Sequence, residues 1–395
     1  MSNKNLNNEI KKPAFFKPNF TDILFRITLL GVNLLFLCKY ASRQNYFPTD
    51  LCLLVYTIFF ISFLYIDIFE FKLLNYFNLK KIYKIGCFLI IIILFIIIYN
   101  TDGNSINVDR WSAMDVGIKA LFNGEYPYTA TDHLNGRTSN FPGLLIIGMP
   151  FYLLGNVAYL QVFAFLLLSY TIYNYLEIRK ATRFIFLLLL SPAYWWEIFS
   201  MSDLLSNVIL VFCFILFTNK YLENDIYKKP IIIGIISSFL VLTRGIMSIP
   251  LVLYLFKDFF KTNLKNKILF VVSFIVTFIL LLFLVLANCP SLKVLKFYNP
   301  LILQTSTLPA YINVLALSIP FYFSFLIRKF EIDFFKFSIT LMFLPILFAF
   351  VSTLSKYNFN ETIYNSRFDL SYLTIVFPFL IIYIVDNKDN KLIYK

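Results

Sequence analysis

Over its 395 residues the chain is 59% apolar, 19% aromatic and only 14% charged, with a mean hydropathy of +0.74, whereas an ordinary soluble domain is about a quarter charged. This excludes a water-soluble globular domain, a disordered chain and a disulfide scaffold, and leaves an integral membrane protein. The formal charge of +13 would suggest a nucleic-acid partner in a soluble protein, but here it is read loop by loop against the bilayer and no such partner is expected.

Lys4, Lys11, Lys12 and Lys17 precede the first apolar run, and no small-residue cleavage site follows it, so an uncleaved signal anchor is expected. Runs near the length of about 20 residues that a bilayer requires lie at 20–38, 51–69, 82–99, 157–176, 183–199, 203–218, 268–287, 309–327, 334–352 and 370–385. Two stretches fit poorly: 142–154 has 13 residues, and 231–256 has 26 and is interrupted by Arg244 and Gly245. Lys and Arg are retained on the cytoplasmic side. Of the 35, 24 fall on the termini and one alternating set of loops and 10 on the complementary set, with Arg26 inside a span.

That alternation holds only if 142–154 does not cross and 231–256 returns to its starting side. The first is therefore expected as an interfacial or re-entrant helix, the second as a tight hairpin with Arg244 near its outer tip. The fold class that follows is an all-α integral membrane protein of about ten to twelve transmembrane helices. It forms one polytopic domain over 1–395, embedded in the plasma (inner) membrane with both termini cytoplasmic. Cys38, Cys52, Cys87, Cys213 and Cys289 are odd in number, show no CxxC spacing and read as small core residues.

One large external loop, 100–141, is the most polar part of the chain, with carboxylates at Asp102, Asp109, Asp115, Glu125 and Asp132. Within it Trp111, Met114, Ile118, Leu121 and Phe122 fall on one face of a 3.6-residue period, which predicts a helix lying on the membrane surface. Gly124 should end that helix, and Tyr126-Pro127-Tyr128 should follow as an extended turn. His133 is the single histidine and reads as a solvated loop residue. No Gly-rich phosphate loop, HExxH, GxSxG or DxD-like motif is present, which disfavours an ATPase, a zincin, a hydrolase or a nucleotide-sugar enzyme; no cofactor and no metal are expected.

Asp109 just beyond a membrane helix, then a surface helix, then Gly124, Pro127 and Tyr128, and later Pro142, Pro150 and Gly155, resembles the GT-C superfamily of membrane glycosyltransferases. It is most similar in pattern to the bacterial enzymes that take mannose or another sugar from a polyprenyl phosphate. Stretches around Asp203 and Arg244 also look like that superfamily, so the resemblance covers about 82–256; a single proline at Pro142 and two spans before the usual first helix depart from it. It implies transfer of a hexose from a polyprenyl-phosphate donor to a glycan, lipid or protein acceptor at the outer face, with membrane lipids around it.

The resemblance places the general base at Asp109, because the lipid phosphate already leaves well and the remaining need is a positioned proton acceptor; a helix N-terminal charge favoured by the dipole is the plainer account. Asp115 is the second catalytic candidate and Asp102 the third. Relatives carry a basic residue in a setting like that of Arg244, which then binds donor phosphate or else snorkels to headgroups. Tyr128, Asp203, Glu197 and Arg367 complete the substrate-binding candidates. Asp203 also suits a helix start behind Ser202, Arg367 and Asp369 suit external anchoring, and Tyr194, Trp195 and Trp196 read as an interfacial belt. The rival readings are a lipid-linked polysaccharide polymerase or ligase, whose polar loop is arginine-rich where this one is carboxylate-rich, and a transporter or flippase, which needs comparable halves.

Overall fold

The computed structural model describes residues 19–65, 78–222, 225–306 and 308–386. Lys4, Lys11, Lys12 and Lys17 of the expected anchor, Lys72 and the C-terminal lysines lie outside the described residues. Within them the chain is all-α: α1 (Phe20–Ala41), α2 (Thr49–Tyr65), α3 (Leu79–Asn100), α4 (Arg110–Phe122), α5 (Pro142–Leu153), α6 (Tyr159–Tyr175), α7 (Ile178–Leu189), α8 (Pro192–Phe199) and α9 (Leu204–Tyr221). There follow α10 (Pro230–Val241), α11 (Ser248–Lys261), α12 (Leu264–Leu286), α13 (Leu292–Phe297), α14 (Pro300–Thr305), α15 (Ala310–Leu326), α16 (Phe335–Lys356) and α17 (Phe377–Asp386). Among the described residues β pairing is limited to one isolated bridge, Thr131 with Arg137.

Five described helices are long and apolar enough to cross a membrane: α1, α3, α9, α12 and the 27 residues 330–356 that end in α16. A bent pair, 292–305 with 310–326, passes the same test as a sixth. The exterior has the character of lipid-facing surface. On α12, Ile275, Val276, Ile279, Leu280 and Phe283 are all exposed, an apolar band that water would not tolerate. By contrast α9 is buried almost all round, as expected of a central post that is apolar on every side. Phe212 on α9 packs edge-on against Phe379 of α17 with ring centroids 5.1 Å apart.

Two predicted spans differ in form, and the stretch expected as a hairpin is one. The run 183–199 is divided into α7 and α8, because Ser191 accepts the Tyr194 amide and Pro192 takes the first helical position, a start signal inside an apolar stretch. The run 370–385 opens as a 3₁₀ turn, Leu370–Val376, before α17. The stretch 231–256 is a hairpin: α10 and α11 are separated at Arg244, and the Tyr227 hydroxyl donates to the Leu255 carbonyl at 2.9 Å. A single continuous helix would hold those two residues about 40 Å apart.

The loop 100–141 is built as its periodicity implies. Met114 and Ile118 of α4 are buried, and α4 ends in a Schellman turn: Gly124 sits at φ +71° and the Glu125 amide returns to the Ala120 carbonyl at 2.8 Å. The buried face of α4 packs against α5, where the missing side chain of Gly148 makes room for Met114 and Ile118. Tyr126-Pro127-Tyr128 runs from an extended Tyr126 into a 3₁₀ turn, Pro127–Thr129. The first residues of α5 meet the end of α10, with the Gly143 amide donating to the Leu242 carbonyl at 2.7 Å.

Candidate active site

Asp109 is the residue just before α4. Its backbone carbonyl accepts the Ala113 amide at 2.7 Å and starts the helix, while its carboxylate makes no cap hydrogen bond and lines a cavity of about 720 Å³. A second carboxylate stands close by: a methyl group on Gly136 would lie 2.6 Å from Asp132 Oδ2 and 3.3 Å from Asp109 Oδ2. Asp132 itself is buried, with Oδ1 accepting the amides of Leu134 and Gly136 and Oδ2 without a partner. Burial holds the Asp109 carboxyl above its ordinary pKa; Arg110 pulls it down, and the negative charges of Asp132 and Asp369 add to the rise.

Arg110, the first residue of α4, was not singled out by the sequence, yet it organises the floor of the site. Its guanidinium donates to Asp369 Oδ2 at 2.5 Å and to Ser371 Oγ at 3.0 Å, and stands 5.3 Å from the centroid of the Tyr372 ring. Asp369 lies deep among protein atoms, although 42% of its side-chain surface still faces open space. Burial pushes its carboxyl up, but the Arg110 charge and the Ser371 donors outweigh that and hold it below the ordinary carboxylate range.

A second cavity, about 470 Å³ and mostly apolar, has Arg244, Gln304, Arg367 and Asp369 among its polar lining and Leu308 and Ile346 among its apolar lining. Ser366 and Asp369 line both cavities. Arg244 is buried rather than snorkelling: it donates to Asp203 Oδ2 at 2.7 Å and to Asn140 Oδ1 at 3.0 Å, and its Nε has no partner. Asp203 precedes α9 without capping it, so its carboxylate serves the ion pair. Gln304, also missed by the sequence, accepts the Gly245 amide at 3.0 Å and donates to the Ser139 carbonyl at 2.6 Å, tying the hairpin tip to the loop.

The remaining candidates fall elsewhere. Tyr128 is 2% exposed and lines neither cavity; its hydroxyl donates to the Asn140 carbonyl at 3.0 Å and so positions a ligand of Arg244. Asp115 also lies away from both cavities, held above the ordinary carboxylate value by burial against the opposing pull of Lys119. Asp102 caps a short 3₁₀ turn through the Asn104 amide. Glu197 is buried and accepts the Leu205 amide through Oε2 at 3.2 Å. Arg367 is exposed, 3.6 Å from Glu361.

Two expectations are corrected here. His133 is tied down instead of solvated, with Nδ1 2.6 Å from Ser112 Oγ and Nε2 2.8 Å from the Ile106 carbonyl. Tyr194 is buried and Trp195 and Trp196 line the cavity of Asp109, so the three do not form a membrane belt. Among the described residues no group of three His, Cys, Asp or Glu is placed to hold a metal ion. Compared with known proteins, the chain matches no family model, no curated protein and no solved structure.

Proposed function

We propose that the chain is a membrane glycosyltransferase of the GT-C type, moving a hexose from a polyprenyl-phosphate donor to an acceptor at the outer face. The observation that carries this reading is that Asp109 and Arg244 line two separate cavities with a common wall at Ser366 and Asp369. A transfer between a lipid and a polar acceptor asks for such a pair: one chamber with Arg244 and Arg367 for the phosphate, and a second with the free carboxylate of Asp109. Asp109 would take the proton of the acceptor hydroxyl as its oxygen bonds to the anomeric carbon, while the bond to the lipid phosphate breaks and its electron pair leaves with the phosphate. Attack from the opposite side inverts the anomeric carbon. Arg244 and Arg367 would offset the charge that the phosphate keeps. Asp369, already bonded to Arg110 and Ser371, would fix the wall between the chambers.

The test is conversion of radiolabelled mannosyl, glucosyl and arabinosyl polyprenyl phosphates by the purified chain in liposomes, with membrane extracts supplying acceptors. Consumption of one donor by the native chain and not by Asp109→Asn is expected. Consumption of none removes the enzymatic reading, and equal turnover by Asp109→Asn removes Asp109 from the role of base.

A further inference from the structure

The cavity beside Asp109 carries a charge pattern that proton removal does not require. Lys39, in the last turn of α1, is only 4% exposed, and its ammonium donates to Ser366 Oγ at 2.8 Å. It lies 5.6 Å from the centroid of the Tyr40 ring, and the Arg43 guanidinium stands 4.9 Å from the same ring. Arg43 reaches the Tyr364 carbonyl at 3.5 Å. Among the described residues neither cation has a carboxylate within ion-pair distance. Of the two carboxylates in the cavity wall, Asp369 is bonded to Arg110 and Asp109 is the free base. A buried ammonium held by one hydroxyl beside a second cation is unfavourable until an anion arrives to share both.

The same wall is aromatic. The Trp196 ring lies 5.4 Å from Phe36 and 6.2 Å from Tyr40, and Trp195 lines the cavity beside it. Sugar rings pack their C–H faces on such surfaces while their hydroxyls bond to neighbouring polar groups. The volume of about 720 Å³ falls in the range of roughly 300 to 1,000 Å³ typical of pockets that enclose small ligands.

We infer that this cavity is the acceptor site and that the acceptor is an anionic glycan: Lys39 and Arg43 hold its phosphate or carboxylate group, and Trp196 holds a sugar ring. The word acceptor rests on the proposed transfer reaction; the anionic glycan site does not.

The experiment is a calorimetric titration of the purified full chain in detergent with trigalacturonate, the neutral galactose trimer and a short-chain polyprenyl monophosphate. Trigalacturonate is expected to bind at least ten-fold more tightly than the neutral trimer. The double variant Lys39→Gln/Arg43→Gln should abolish that difference and leave polyprenyl phosphate binding unchanged, while Trp196→Ala should weaken both sugars. Should the double variant fold poorly, Arg43→Gln alone, at an exposed position, should reduce the preference several-fold. Equal binding of the two trimers, absence of binding included, overturns the inference. So does a preference that survives the charge removal, or a loss of polyprenyl phosphate binding, since the cations would then hold the donor. No turnover is measured, so a failed transfer assay with the preference intact overturns the proposed reaction alone, and intact transfer without the preference overturns this inference alone.

Discussion

At the scale of single residues, Asp109 is a carboxylate whose surroundings oppose its ionisation, because it is partly desolvated and Asp132 stands next to it. General-base assistance is worth roughly 100- to 10,000-fold, so Asp109→Asn should lower transfer by that factor with expression retained, read by donor consumption per folded molecule. The base must be ionised to act, so the acid limb of the pH–rate profile should lie above the ordinary carboxylate range. Asp132→Asn removes the negative neighbour and should move that limb to lower pH; an unmoved limb would separate the two groups. Stability has the opposite sign. A raised carboxyl pKa means that stability present below the unfolded-state value is lost as pH rises through the folded-state value. Asp109→Asn should therefore unfold at a higher temperature than the native chain at neutral pH, and at the same temperature in acid, where both side chains are neutral.

Among the elements, the position of the carboxylate loop depends on how α5 seats against its neighbours. A methyl group on Gly143 would stand 2.4 Å from the Phe239 carbonyl oxygen and 2.7 Å from that of Leu242, backbone atoms that cannot move aside. On Gly148 it would meet Met114 Cε at 2.1 Å and Ile118 Cδ1 at 2.8 Å, the ends of side chains that can turn away. Gly143→Ala should therefore cost about 1 to 3 kcal/mol and Gly148→Ala clearly less, measured by thermal unfolding of the purified variants. The period-3.6 pattern of Trp111 to Phe122 and the glycine at 124 made α4 and its end legible from residue order alone. The division of α7 from α8 was written in Ser191-Pro192 as well, but the unbroken hydropathy of the run concealed it.

For the molecule as a whole, the pair between Arg244 and Asp203 joins the hairpin tip to the start of α9 across 41 residues of sequence, with both side chains almost fully buried. Removing one partner of such a pair costs about 3 to 5 kcal/mol because the other charge is stranded. Asp203→Asn should thus lower the unfolding temperature sharply, and adding Arg244→Gln should restore part of it; additive losses would mean that the two do not interact. The proposed topology places Arg137 outside, so a cysteine introduced there should react with a membrane-impermeant reagent applied to intact cells. Protection until the membrane is opened would reverse the orientation. Residue order by itself determined that the chain is helical and membrane-embedded, that one loop is rich in carboxylates, and that the stretch around Arg244 turns back, since hydropathy, periodicity and charge are local properties. Which charges meet was decided only by tertiary packing: Arg110 with Asp369 and Arg244 with Asp203 are each brought together from distant parts of the chain. So were the two cavities on either side of Asp369, because a cavity is the space left between helices and no single segment encodes it.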